Sequence, residues 1–372
     1  MVDFIPMSEP LLDGNEGKYL AECIETGWIS SEGPFVRKFE EVMATRVNRK
    51  YGIAVCNGSA ALETAVAALD LRPGDEVIMP TFTIISCAAA LVRRGCTPVL
   101  VDSDPATWNM DLSQIESKMT PRTKAIMVVH IYGLPVDMDP ILEMARDRGL
   151  KIIEDAAQMH GQTYKKSPCG SFGDISTFSF YANKHVTTGE GGMLLTDDER
   201  LAERSRSLRN LCFKKEKRFV HDELGHNFRM SNLQAALGMA QLERLDEFIA
   251  RKRRIGQRYS QLLAGVPGLQ LPASTTPYAD NIYWAYGLVL GNEAPFDADE
   301  AMRRLSARNV ATRPFFWPMH KQPVFKKMGL FSHEVHPVAE RLASRGFYIP
   351  SGVALTEDHI ERVASSVREL MR

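Results

Sequence analysis

Between about residues 50 and 200, short apolar runs alternate with longer stretches whose apolar positions recur at helical spacing. The runs are YGIAVC, EVIMP, TPVLVD, KAIMVVHIYG, KIIEDAA, ISTFSF and GGMLLT, and the intervening segments include SAALETAVAAL and DMDPILEMARDRG. A run of four to eight residues that is apolar on both faces suits a strand with a layer on each side. The alternation predicts an α/β domain of three layers, helices covering both faces of a mostly parallel sheet. From Asn232 to Leu263 the pattern NLQAALGMAQLERLDEFIARKRRIGQRYSQLL is too long and periodic for an ordinary surface helix, so it is expected to lead out of the large domain. Downstream, YWAYGLVL, DADEAMRRLSARN, VATRPFFW and TEDHIERVASSVRELM predict a smaller α+β domain. The expected division is residues 1–250 for the large domain with its N-terminal segment and 251–372 for the small one. There is no internal repeat, coiled coil or low-complexity tract.

Composition narrows the class. The 372 residues are 44% hydrophobic, enough for a sizeable core, and 45 Lys and Arg almost cancel 46 Asp and Glu, leaving a net charge of -1. No global field draws such a chain to nucleic acid or to a membrane, so an anionic ligand has to be held locally. Six cysteines without a C-x-x-C pair, several within apolar runs, read as reduced thiols. MVDFIPMSEP lacks a basic segment followed by an apolar stretch, and no later segment reaches the roughly eighteen unbroken apolar residues of a spanning helix. A cytoplasmic location is expected.

The candidate chemistry concentrates around two residues. Asp155 ends the apolar run KIIED, and ligands of open α/β sheets collect at the carboxyl ends of strands. Lys184 follows a second run, in the loop between ISTFSF and the glycine-rich TTGEGGML. A lysine amine can carry pyridoxal phosphate as a Schiff base, and a carboxylate beside the pyridine nitrogen keeps that nitrogen protonated. Each residue also has a plain reading: Asp155 as a helix cap, Lys184 as a solvated surface charge. Apolar flanks argue for partial burial of Lys184, which would lower its pKa and supply a neutral amine. Gln158 either reaches the cofactor's phenolic oxygen or closes a capping box. In AVCNGSAALETAV a strand gives way to a helix near Gly58 and Ser59, so free amide N–H groups offer a phosphate seat or simply an ordinary helix cap. Ser179 can offer a hydroxyl to phosphate or be a polar strand residue. His320, in RPFFWPMH, reads as a substrate contact or as a structural histidine. Phe315, Phe316 and Trp317 read first as core and second as a sugar or base platform. His333 and His336 lack the acidic and cysteine company of a metal site, and no metal is assigned.

Taken in order, GWISSEGPFVRKFE, CNGSAALETAV, PGDEVIMPTFT, GCTPVLVDSDPATWNMD, TPRTKAIMVVHIYG, IIEDAAQ, FGDISTFSFYANKHVTTGEGGML, HNFRMSNLQAALGMAQLERLD and TRPFFWPMH span essentially the whole chain. This series resembles the fold-type I, pyridoxal-phosphate-dependent nucleotide-sugar aminotransferases of the DegT/DnrJ/EryC1/StrS group. The resemblance implies that Lys184 carries the cofactor, that Asp155 pairs with the pyridinium nitrogen and that Gln158 lies against the ring or its phenolic oxygen. Gly58, Ser59 and Ser179 are implied to hold the phosphate. It further implies a homodimer with shared active sites, in which Asn227 reaches the partner's cofactor phosphate. Trp28, Ser30, Arg313 and His320 are implied to lie near the sugar nucleotide.

The WISS opening, the NK-x-x-TTGEGGM loop and the RP-x-x-x-PMH segment look most like members that aminate C4 of GDP-4-keto-6-deoxymannose with nitrogen from L-glutamate, for surface polysaccharide synthesis. Two positions depart from the common pattern. Ile84 stands where many members carry an aromatic residue, which leaves ring stacking open, and Phe82 is not an evident replacement. Relatives that dehydrate their sugar carry histidine at the lysine position, whereas this chain has Lys184 with His185 beside it. The alternatives are another keto-sugar substrate, a sugar 3-dehydratase, or a noncatalytic cofactor-binding regulator, although no DNA-binding extension is visible.

Overall fold

The computed structural model describes residues 4–214 and 216–372. Seven of the apolar runs form one sheet: β1 (Tyr51–Val55), β2 (Glu76–Pro80), β3 (Thr97–Val101), β4 (Thr123–Val129), β5 (Lys151–Asp155), β6 (Ile175–Ser179) and β7 (Gly192–Thr196). They lie in the order β1-β7-β6-β5-β4-β2-β3. β7 runs antiparallel to both β1 and β6, and the other pairings are parallel. Both faces are covered, as the doubly apolar runs require. In β4, Ile126 and Val128 join one apolar core while Ala125, Met127 and Val129 join the other, the two-residue period of a strand dividing its side chains between two layers.

Two expectations change in the structure. KAIMVVHIYG is too long for its strand: β4 stops at Val129, and Tyr132 adopts the left-handed region at φ 54°, so HIYG is a turn at the strand end. The single long helix is two, Asn232–Glu243 and Leu245–Leu263, parted at Arg244 with φ −108°. Neither Gly nor Pro marks the break. Instead the Arg244 guanidinium bonds Glu247 at 2.9 Å and also Asp13. The turn lets the first helix pack on helices Glu16–Thr26 and Pro34–Arg46, and the second on the C-terminal helix Glu357–Leu370.

That second helix leads into a smaller body. Its sheet contains β8 (Leu269–Gln270), β9 (Tyr286–Leu290), β10 (Arg313–Pro314) and β11 (Gly346–Ile349), antiparallel in the order β8-β9-β11-β10. A third core joins Ile255 and Tyr259 of the connecting helix to Leu288, Phe347, Val363 and Val367. Ile5 belongs to it as well, because Ile5 N–H donates to the Asn309 carbonyl at 2.8 Å and Ala311 N–H donates to that of Ile5 at 3.0 Å. Residue 250 therefore falls inside a continuous helix, and the N-terminal segment is stitched to the small body.

The strand-end turns of β1, β2, β4, β5 and β6 open at one edge of the large sheet. Because β7 is antiparallel, its N-terminal end meets them there. Gly192 fits this crowded edge: a Cβ on it would lie 2.3 Å from the Asn57 carbonyl oxygen, so no other residue passes without displacing backbone.

Candidate active site

At that edge lies a cavity of about 550 Å³, walled by the strand-end turns and by three aromatic residues of the small body, Trp284, Phe316 and Tyr348. One end is a helix start. Asn57 is extended, and its side chain accepts from Ala60 N–H at 2.8 Å, which caps the helix Gly58–Ala68 while leaving the first amides unpaired within it. Ser59 Oγ meets Ser86 Oγ at 2.7 Å. Ser179, at the end of β6, packs against Gly58 so closely that a Cβ there would come within 2.8 Å of the serine's own Cβ. Gly58, Ser59, Ser86 and Ser179 all line the cavity, a nest of hydroxyls and amides at the positive end of a helix, which suits a phosphate.

Asp155 closes the floor. It is buried, lines the cavity, and among the described residues has no ion-pair partner. Oδ1 accepts from Ala157 N–H at 3.0 Å and Oδ2 from Cys87 Sγ–H at 3.3 Å. Burial pushes its carboxyl above the usual value, opposed by those hydrogen bonds and by the charge of Lys184. A buried carboxylate facing a void without a cation of its own is suited to a ligand that brings one. Lys184 stands beside the same void with Nζ 3.9 Å from the Trp284 ring centroid. Burial lowers its pKa to about 8, Asp155 pulling the other way. The expected neutral fraction of amine therefore exists near neutral pH. Gln158 Oε1 accepts from Tyr132 N–H at 2.6 Å, which fixes the amide against the cavity wall it lines.

The departure at residue 84 is real in space: Ile84 lines the cavity, whereas Phe82 is fully buried and packs edge-on to Phe316 at 5.8 Å and Tyr132 at 6.2 Å. Of the three consecutive aromatics, Phe316 reaches the cavity, Phe315 is core and Trp317 is exposed.

The residues expected near the sugar nucleotide are not gathered in the cavity of one chain. Trp28 and Ser30 lie on the surface, their carbonyls accepting from Asn232 Nδ2 and Asn232 N–H. Asn227 is exposed too, bridged to Asn210. Arg313 is exposed next to the cavity, opposite Tyr348 in the β10–β11 register. His320 is turned inward and is 1% exposed, with Nδ1 2.8 Å from Thr81 Oγ1 and Nε2 2.9 Å from Glu340 Oε1. A carboxylate only accepts, so Nε2 carries the hydrogen and Nδ1 accepts the threonine hydroxyl. Both nitrogens are engaged, as in the structural reading of this histidine.

Sequence reasoning missed Thr177, Ser86, His130 and Trp284, all on the cavity wall. Thr177 was findable: it shares a strand face with Ser179 at a spacing of two, and its buried hydroxyl has no partner among the described residues. His130 sits in the strand-end turn that KAIMVVHIYG concealed, its Nε2 3.1 Å from Glu154 Oε1. Trp284 arrives from the small body, and no local signal points to it. An unpartnered hydroxyl, a buried carboxylate without an ion-pair partner, a depressed lysine and a helix start form a donor set whose chemistry fits pyridoxal phosphate.

Comparison with known proteins points the same way. Residues 10–368 match the DegT/DnrJ/EryC1/StrS aminotransferase family. GDP-perosamine synthase of Caulobacter vibrioides is 42% identical over 99% of this chain and 98% of its own length, and that of Escherichia coli O157:H7 is 39% identical over 98% of each. The crystal structure of an aminotransferase from Streptoalloteichus hindustanus superposes with a TM-score of 0.91 at 32% identity, covering 98% of both chains.

Proposed function

From the premise that this chain belongs to the DegT/DnrJ/EryC1/StrS aminotransferase family and has its α/β, fold-type I architecture, we propose that it transfers the amino group of L-glutamate to C4 of GDP-4-keto-6-deoxymannose, yielding GDP-perosamine. The chain is a sugar aminotransferase. The choice of sugar and position is supported by the two GDP-perosamine synthases that match it over nearly its full length. The cofactor proposed is pyridoxal phosphate, and the observation that carries it is a single cavity containing Lys184, Asp155 and the start of the helix Gly58–Ala68.

When bound, this cofactor supplies an electron sink that labilises the Cα proton of an amino acid and then carries its nitrogen to a ketone. The chain's residues do the rest. The helix start and the hydroxyls of Ser59 and Ser179 seat the phosphate, and Asp155 holds a proton on the ring nitrogen. Gln158, immobilised by Tyr132 N–H, faces the ring or its phenolic oxygen. Lys184, with a pKa of about 8, would hold the cofactor through its free amine and would carry a proton between carbon atoms as general base and acid. Trp284, Phe316 and Tyr348 shield the amine from water on the small-body side. The exposed positions of Asn227, Trp28 and Ser30 support a homodimer in which these residues of one protomer complete the site of the other.

The test is a stoichiometric one. With L-glutamate and GDP-4-keto-6-deoxymannose, one 2-oxoglutarate per amino sugar is expected, and borohydride should fix the cofactor to the peptide containing Lys184. A deoxygenated sugar with the glutamate nitrogen released as ammonia, and no amino sugar, would establish the dehydratase instead. Label on another lysine, or on none, would remove the basis for the cofactor assignment.

A further inference from the structure

Cys87 lies in the first turn of the helix Ile85–Arg93 and is fully buried. Its sulfur is 3.3 Å from Asp155 Oδ2 and 3.5 Å from Thr83 Oγ1. Burial, and after it the neighbouring carboxylate, push the thiol pKa well above its usual value, so the sulfur keeps its hydrogen at any working pH. Asp155 as a carboxylate can only accept, which directs that hydrogen to Oδ2 and makes Thr83 the donor to sulfur. The result is a chain, Thr83 O–H to Cys87 S–H to Asp155, that begins at a residue of the cavity wall. Since Oδ1 is held by Ala157 N–H, the carboxylate is hydrogen-bonded at both oxygens on the wall of the cavity it lines.

We propose that Cys87 is a positioning residue of the amino-transfer reaction: its S–H holds Asp155 Oδ2 so that the carboxylate presents a fixed edge to the cofactor's ring nitrogen. This rests on the assignment of Asp155 as that nitrogen's partner. The competing view makes Cys87 a small apolar filler between Ala88 and its neighbours, in which case only its volume matters. Cys87→Ser keeps the donor, Cys87→Ala removes donor and volume, and Cys87→Val restores volume without a donor.

The first measurement uses the full chain without cofactor. The infrared S–H stretch isolated by subtracting Cys87→Ala from wild type should fall on the hydrogen-bonded side, and in an Asp155→Ala background it should move to the frequency of a weakly bonded thiol. The second is titration with pyridoxal phosphate, where loss of a hydrogen bond to a charged group corresponds to about tenfold weaker binding. Cys87→Ala and Cys87→Val are both expected to show it, with Cys87→Ser close to wild type. kcat should fall in Ala and Val while KM for the sugar nucleotide holds. A Val variant equal to wild type, or an S–H band unmoved by Asp155→Ala, overturns the proposal. Should Cys87→Ala fail to fold, the band of the Asp155→Ala chain, isolated against Cys87→Ser, and the Val-against-Ser comparison still decide it. A wild-type chain that does not bind pyridoxal phosphate at all would instead sink the assigned function, leaving the infrared result to judge the Cys87–Asp155 bond alone.

Discussion

Lys184→Met should make the cofactor-free protein more stable at pH 7. The gap between the ordinary lysine value of 10.5 and about 8 in the fold corresponds to about 3 kcal/mol at about 1.4 kcal/mol per pH unit. Part of the side chain stays open to the cavity, and the Trp284 face at 3.9 Å attracts the ammonium, so a penalty of about 2 kcal/mol is the better expectation. A lysine depressed in the fold is a cost below its folded pKa. Between pH 8 and 10.5 the unfolded chain binds more protons than the folded one, so the wild type gains stability as pH rises through that window. Methionine, of similar length and without charge, has no such dependence. Denaturant unfolding of both chains at fixed concentration, at pH 7 and at several values up to pH 10, should give a difference of about 2 kcal/mol in favour of Lys184→Met that shrinks toward zero. Lys252, another buried titrating group, is common to both chains and cancels to first order in the difference. A Lys184→Met chain no more stable than wild type at pH 7, or a difference independent of pH, would refute a depressed Lys184 and with it the supply of neutral amine. The strain is the expected cost of a reactive amine held out of water.

Ile84→Phe should tighten pyridoxal phosphate binding by about threefold to tenfold, since an aromatic pair adds about 0.5–1.5 kcal/mol beyond burial at a position already on the cavity wall; unchanged or weaker binding would show that no ring passes there. His320→Ala should destabilise the fold by about 2 kcal/mol because it leaves the buried Thr81 hydroxyl without its partner and takes one hydrogen bond from Glu340, which keeps Lys321 and His336 N–H. A lower melting temperature with KM for the sugar nucleotide unchanged supports a structural His320 tying Thr81 to Glu340, whereas a raised KM at constant melting temperature supports His320 as a substrate contact.

What the sequence by itself determined is whatever a short window of chain can encode. The doubly apolar runs announced a sheet covered on both faces, because a strand buried on two sides has no polar alternation to show. Asn57 with Gly58 and Ser59 announced a helix start, which leaves its first amides free whatever packs around it. Asp155 and Lys184 were legible from their places at strand ends.

Only the tertiary structure decided what depends on residues far apart in the chain. The break at Arg244 comes from Asp13 and from two bodies claiming one helical pattern. His320 is engaged at both ring nitrogens because Thr81 and Glu340 converge on it. Trp284 came to lie over Lys184 because the small body folds back onto the sheet edge. Burial beneath that closure lowers the lysine's pKa, and Asp155 at its strand end meets a thiol from the helix Ile85–Arg93, far away in the chain. Burial and hydrogen-bond geometry are properties of the assembled surroundings, and a local pattern carries no record of what will be packed against it.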